Sequence, residues 1–233
     1  MIISINQPAY LPWLGYFDRI NAADIHVELD TVQFEKNSMV NRNKIKLNGT
    51  TAMLTVPVKT KGKFGDLAIS EIEIADNRWA RKHWSSIKQS YGKANYFSDH
   101  KDFFEHLYST SWTKLNPLLA ESNQYLYNAL GIQTQVCRAR EINAVGTKHD
   151  LVLNICKELG ATSYLSGPFG KDYLKLDQFN EANIEVIFQD YHHPKYDQQG
   201  NTFEPYLSIV DLLFNHGKKS LITLSTSMEN SYG

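Results

Sequence analysis

The first thirty residues limit the fold more than any other part of the chain. Residues 1–6 (MIISIN) form a short β-branched apolar run that stops at Gln7-Pro8, which reads as a buried strand opening into a loop. Residues 13–22 (WLGYFDRINA) set Leu14, Phe17 and Ile20 at helical spacing, with Pro12 just before the start, where proline is tolerated. Residues 24–29 (DIHVEL) alternate and run into Asp30. Strand, helix and strand in so short a span form a right-handed βαβ unit with parallel strands, and ligands of such sheets collect outside the carboxyl ends of the strands. Gln7 and Asp30 both fall at that edge.

The alternation continues along the chain. Residues 44–47 and 52–58, separated by Asn48-Gly49, make a hairpin, because Asn-Gly is the strongest short turn signal. Residues 69–74 add another strand. Residues 78–91, 99–109 and 115–130 are helical stretches rich in aromatic side chains, the last closed by Gly131. Beyond them come a strand at 134–138, an amphipathic helix at 148–159 closed by Gly160, strands at 163–165 and 184–189, and a final helix at 208–215. The pattern predicts a single α/β domain over residues 1–233, with a mostly parallel sheet flanked by helices and a helical insertion or subdomain at about 77–131. Within that block Trp79, Trp84, Tyr91, Phe104 and Tyr108 follow helical spacing, which core packing explains more simply than stacking on bases or sugars.

Composition serves to exclude. With 24 Lys+Arg against 25 Asp+Glu in 233 residues, the chain has no global field that gathers nucleic acid or an anionic membrane, so any phosphate recognition is local. No apolar stretch approaches the roughly 18 residues of a membrane span, and the first residues lack a secretory pattern, so the expected location is the cytoplasm. Two cysteines, Cys137 and Cys156, make no disulfide framework and no CxxC cluster, and are expected to be reduced thiols in the core. Histidines 26, 83, 100, 106, 149 and 216 are scattered without metal-ligand spacing; neither a metal nor a cofactor is predicted. There is no GxSxG elbow to support a serine nucleophile.

Four segments concentrate polar groups where a parallel sheet presents them together. The first is Gln7-Pro8-Ala9-Tyr10 with residues 13–16, including Tyr16. The second, Asn41-Arg42-Asn43-Lys44, offers a guanidinium fork, an ammonium and two amides, suited to a phosphate or carboxylate; the plain alternative is a solvated turn before a strand. The third, SGPFGKDY at residues 166–173, follows a strand with Ser166, Gly167, Gly170, Lys171 and Tyr173, echoing a phosphate cradle without the GxxxxGK[ST] order. Its alternative is a tight turn in which Gly167 and Gly170 supply positive φ. The fourth is His192-His193-Pro194-Lys195-Tyr196, where His193 is the candidate general acid or base. Neighbouring histidines in extended chain point opposite ways, so at most one acts.

These segments carry a family likeness. QPAYLPWLGYFDRI, DTVQFEKNSMVNRNKIK, TVPV, LGATSYLSGPFGKDYL and YHHPKYDQ followed by FEPYLSIVDLLFNHG together resemble the WbqC-like family, over a span from Ile3 to Gly217. The resemblance implies a setting in bacterial surface polysaccharide (O-antigen) biosynthesis, with a nucleotide-linked sugar and an acyl donor as partners. A weaker likeness is one of layout. Pro12 to Tyr16, following a strand and opening a helix, is similar to the HxGH arrangement of nucleotidyltransferases, but Trp13 and Tyr16 stand where that motif has its two phosphate-stabilising histidines. The function expected from these resemblances is transfer of an acyl or aminoacyl group to the amine of a nucleotide-linked amino sugar. The alternatives are a non-catalytic sugar-nucleotide-binding accessory protein and a glycosyltransferase; Asp172, Asp177 and Asp190 form no DxD pair to support the last.

Overall fold

The computed structural model describes residues 1–60 and 67–225. Its centre is a five-stranded, wholly parallel sheet of β1 (Ile2–Asn6), β2 (Ile25–Glu28), β5 (Gln135–Arg138), β6 (Ser163–Ser166) and β7 (Glu185–Phe188) in the order β5-β2-β1-β6-β7. The chain runs from β1 through α1 (Leu14–Asn21) to β2, then to β5, moving one way across the sheet. It returns to the other side of β1 for β6 and β7. The direction of winding therefore reverses between β1 and β6, and the α/β class expected from the alternation is the class observed.

Both faces of the sheet are covered. Ile3, Ile5, Val27 and Tyr164 pack with Val152, Ile155 and Cys156 of α5 (Lys148–Glu158) and Phe179 of α6 (Leu176–Glu181). The opposite face carries Ser4, His26 and Glu28, all buried, beneath α1 and α4 (Leu115–Leu130). There the Tyr16 ring meets His26 edge-on, and the Tyr127 hydroxyl donates to Glu28 at 3.3 Å. The expected strand and helix positions within this sheet agree with the observed elements to within a few residues; α6 and the terminal α8 (Ser220–Ser225) were not expected.

A second, antiparallel sheet is the hairpin of β3 (Arg42–Leu47) and β4 (Thr50–Thr55), turned by Asn48 at φ 52° and Gly49 at φ 75°. It packs on α2 (Arg78–Tyr91) and α7 (Ile209–His216). The aromatic block is core: Phe214 of α7 packs against Tyr91, Phe97 and Phe104 from α2 and α3 (Phe97–Ser109), and Trp84 stacks on Tyr108. Residues 69–74, expected as a strand, instead form one 3-10 turn at Ile69–Glu71 with single bridges from Val58 to Ile74 and from Glu73 to Lys114. The alternation that suggested a strand holds from Glu71 to Ile74, with Ile72 and Ile74 buried and Glu71 and Glu73 exposed; residues 57–59 on one side and 113–115 on the other bond to it through their backbones, each over too short a run to make a ladder. No described helix is long and apolar enough to cross a membrane.

Candidate functional site

A cavity of about 370 Å³ opens where the winding reverses. Its walls come from the end of β1 (Asn6, Gln7), the loop and first turns that follow (Ala9, Pro12, Trp13, Tyr16, Arg19), Met39, Val40 and Asn43 beside them, and the turn after β6 (Ser166 to Gly170, Tyr173). This is the crevice outside the carboxyl ends of the strands where doubly wound sheets bind ligands.

Arg19 sets its chemistry. Its side chain is 7 % exposed and forms no ion pair among the described residues. Nη1 donates to Gln189 Oε1 at 3.1 Å, and Nε is buried with no hydrogen-bond partner. Gln189, just past β7, is held in turn by donating Nε2 to Gly15 O at 2.9 Å and to Asp18 Oδ2 at 2.8 Å. Burial pushes the guanidinium pKa down and the neighbouring Asp18 carboxyl up. Around Arg19 stand the phenols of Tyr16, Tyr164 and Tyr173, each with its pKa raised chiefly by burial and so present as a neutral hydroxyl. A buried cation is costly unless something anionic meets it. Among the described residues the cavity lining otherwise holds amides, hydroxyls and apolar surface, with no carboxylate, imidazole or ammonium.

The glycines of the turn are small for reasons of space. Neither Gly167 nor Gly170 has positive φ, which replaces the expectation that they serve a left-handed turn. A Cβ on Gly167 would lie 2.3 Å from Arg19 Nη1, and one on Gly170 would lie 2.0 Å from Ser166 Oγ. The turn is pressed against the guanidinium.

Of the residues singled out in the sequence, Gln7, Tyr16, Asn43, Ser166, Gly167 and Tyr173 line this cavity. Tyr10 does not: it is fully buried, its hydroxyl 2.9 Å from His83 Nδ1 and 2.6 Å from the Tyr108 hydroxyl. Asn41 to Lys44 enter a strand, not a loop, and the pleat separates them. Asn43 Nδ2 donates to Leu11 O at 2.7 Å, Asn41 Nδ2 to Val56 O at 2.8 Å, and Arg42 folds onto Asn37. Arg42 and Lys44 are absent from the lining, and the Lys171 ammonium sits 5.4 Å from the Phe188 ring.

His193 stands one aromatic layer behind the cavity. Trp13 lines the cavity, Tyr191 and Tyr206 flank Trp13 at 5.3 and 5.8 Å, and His193 lies 5.0 Å from Tyr206. Its Nδ1 donates to Pro194 O at 2.8 Å, Nε2 is buried without a partner, and burial lowers its pKa. Arg19, Gln189 and Phe169 were not singled out, although Phe169 lay within a chosen segment.

A second cleft of about 460 Å³, between α4 and the end of β5, is lined by Asn116, Gln124, Arg138 and Arg140 among others. There Arg140 holds the fully buried Asp30 through Nε at 2.6 Å and through Nη2, and Arg138 approaches Glu28 at 3.9 Å. Cys137, half-buried, lines a separate small pocket with Glu28 and Tyr127, while Cys156 is in the core with its thiol pushed up to about 12 by burial. Among the described residues no group of three or more His, Cys, Asp or Glu side chains is arranged to hold a metal ion.

Fold and cavity together define a doubly wound α/β protein with an arginine-bearing cavity at its switch point. The family model described as the WbqC-like protein family matches residues 7–223, and the chain belongs to that family. An uncharacterized protein of Mycobacterium tuberculosis, Rv1507c, is 35% identical over 224 residues, covering 94% of this chain and 95% of the other. No solved structure matches the chain.

Proposed function

We propose that the chain binds a nucleotide-linked sugar in the crevice between β1 and β6, with an oxygen of the diphosphate on Arg19, as a step in polysaccharide-related biosynthesis. Membership of the WbqC-like family supports the setting. The observation that carries the ligand class is the buried guanidinium with an unpartnered Nε and no ion pair among the described residues. The fold holds this cation in a cavity of about 370 Å³, and a phosphate oxygen supplies the acceptor that the fold leaves out.

The reaction this reading favours is acyl or aminoacyl transfer to the sugar amine. The neutral amine nitrogen attacks the acyl carbonyl, the bond from that carbon to its leaving group breaks, and the nitrogen gives up a proton. His193 is the proposed base: burial keeps it neutral, and its Nε2 is free to accept. Trp13 stands between it and the cavity, so in this reading the indole swings aside when both substrates are bound.

A second reading, binding without turnover, is favoured by one specific feature: among the described residues the lining contains no carboxylate or imidazole to take a proton. Incubation of the pure chain with dTDP- or UDP-linked amino sugars and candidate acyl thioesters or aminoacyl donors, followed by mass spectrometry of the sugar nucleotide, separates the two. A mass gain that disappears in His193→Ala supports transfer. Calorimetric binding of the sugar nucleotide without a mass gain from any donor class leaves the binding reading, and no binding at all removes both.

A further inference from the structure

The rim of the crevice is apolar, while its floor is charged. Phe169 is 79 % exposed, and Met39 and Tyr173 are each 43 % exposed; all three line the cavity that contains Arg19. Single exposed apolar side chains need no explanation, but three around one mouth leave an apolar surface with no cover.

The exposure of Phe169 is imposed by a rigid turn. It sits on the 3-10 segment Pro168–Asp172, opened by proline and closed by Gly170 N–H to Gly167 O at 3.0 Å and Tyr173 N–H to Gly170 O at 3.2 Å. Gly170 is locked against Ser166 Oγ, and the Lys171 ammonium is parked over Phe188. The backbone that carries the ring is thus fixed, which lowers the entropy lost when a guest meets it.

The spacing then matters. Gly167 abuts the Arg19 guanidinium, and Phe169 is two residues further on, so the backbone distance from Gly167 to Phe169 is at most about 7 Å. A ribose separates phosphate from base over a comparable reach. Planar bases stack on aromatic faces whatever their sequence, and a methionine sulfur packs well against a ring. The side-chain amides of Asn6, Gln7 and Asn43 line the same cavity and offer donors and acceptors to hydroxyls.

We infer that Phe169 is the nucleobase platform of this crevice, with Met39 on its rim, so that the ligand is a nucleoside diphosphate recognised at both ends. The inference rests on the proposed binding of an anion by Arg19 and adds the base subsite to it. A bare sugar phosphate fills only the floor. A polyprenyl diphosphate shares the anionic head and puts a flexible chain, not a plane, on the rim.

Calorimetry of the full chain with inorganic pyrophosphate, UDP, dTDP and geranyl diphosphate distinguishes these. Wild type is expected to bind UDP or dTDP at least about ten-fold more tightly than pyrophosphate, the scale of one base–aromatic stack. Phe169→Ala loses that advantage and keeps its pyrophosphate affinity, Phe169→Trp retains it, and Arg19→Met weakens all the diphosphates. Because the ring is exposed, its truncation leaves the melting temperature unchanged, which the same samples check. Equal affinity of wild type for pyrophosphate and both nucleotides, or an unchanged nucleotide affinity in Phe169→Ala, overturns the base subsite while leaving Arg19 as an anion anchor. Tightest binding of geranyl diphosphate, lost in Phe169→Ala, overturns it in favour of a lipid tail. If none of the four ligands binds, the Arg19 reading itself falls.

Discussion

Arg19 and Arg140 both reach a cleft at the carboxyl ends of the sheet, and the chain treats the two guanidiniums in opposite ways. Arg140 clasps Asp30, a carboxylate with no exposure at all, and the side-chain amide of Asn116 assists at 3.4 Å. Arg19 is given an amide, Gln189, and no ion pair among the described residues. The cleft beside Arg140 is the larger of the two, about 460 Å³ against about 370 Å³, so volume does not separate them. Charge accounting does. A charge matched within the fold serves folding; a charge desolvated and left unmatched is held for something that arrives from outside.

If that contrast is right, the two arginines differ most in what they do for stability. Arg140→Met leaves the Asp30 carboxylate buried with only Asn116 near it, and the expected loss is about 3 kcal/mol, read as a fall in the urea midpoint without change in slope. Adding Asp30→Asn to that variant removes the orphaned charge and recovers most of the loss. A single variant costing under about 1 kcal/mol breaks the comparison, because Asp30 then tolerates isolation as Arg19 does.

Asp211 sharpens it from the acidic side. This fully buried carboxyl on α7 is pushed up to about 6 from its ordinary 3.8, first by burial, with the hydroxyls of Tyr91 and Tyr196 and the charge of Lys46 acting against the rise. Since the folded pKa is raised, the folded chain holds this proton more tightly than the unfolded one. The resulting stabilisation is complete below about pH 4 and is lost as pH rises through about 6, some 2–3 kcal/mol in all. Stability measured from pH 4 to 7 should therefore decline in wild type by that amount relative to Asp211→Asn. Parallel curves would mean that burial does not raise the Asp211 carboxyl.

A smaller effect is expected at Gly167. A methyl group here meets Arg19 Nη1 at 2.3 Å, and that same Nη1 is tied to Gln189 Oε1, so the guanidinium moves aside only by giving up its hydrogen bond. Gly167→Ala is expected to cost about 1–2 kcal/mol by overpacking and to abolish the rise in melting temperature that pyrophosphate gives wild type. Gly49→Ala, with nothing within 4 Å but φ at 75°, gives a strain-only control of similar size that leaves the pyrophosphate response intact.

How much of this was legible in the sequence follows from what each feature depends on. The parallel sheet was, because β-branched runs alternating with helical periods admit few other arrangements, and the crevice edge came with it through Gln7 and the segment from Ser166. The hairpin was, because Asn48-Gly49 is local chemistry. Residues 69–74 misled because a strand needs a partner over several residues, and the flanking segments 57–59 and 113–115, which no local pattern reveals, each bond to it for only a residue or two. The same reason hid Arg19. On helical spacing Arg19 falls opposite Leu14 and Phe17, where a solvated face is the ordinary expectation. What buries Arg19 is Gln189, 170 residues away, and Gly167 in the turn after β6. His193 was conspicuous because histidine titrates near neutrality, yet whether it reaches the crevice depends on Trp13, Tyr191 and Tyr206, whose packing no local pattern encodes.

The smallest change in stability belongs to the residue with the largest expected effect on binding. Arg19→Met keeps the length of the side chain, removes a desolvated charge and deprives Gln189 Oε1 of one donor. Gln189 remains tied to Gly15 and Asp18, so the local structure has its other anchors. Loss of the charge favours folding and loss of the hydrogen bond opposes it, and the net change in the unliganded chain is expected within about 1 kcal/mol of zero, with stabilisation the expected sign for an unmatched buried charge. The thermal shift produced by pyrophosphate or UDP, by contrast, should vanish. Urea and ligand titrations of one preparation supply both numbers. A loss of 3 kcal/mol in the unliganded chain would put Arg19 in the same class as Arg140, a guanidinium on which the fold depends, and the crevice would lose its claim to an anionic guest.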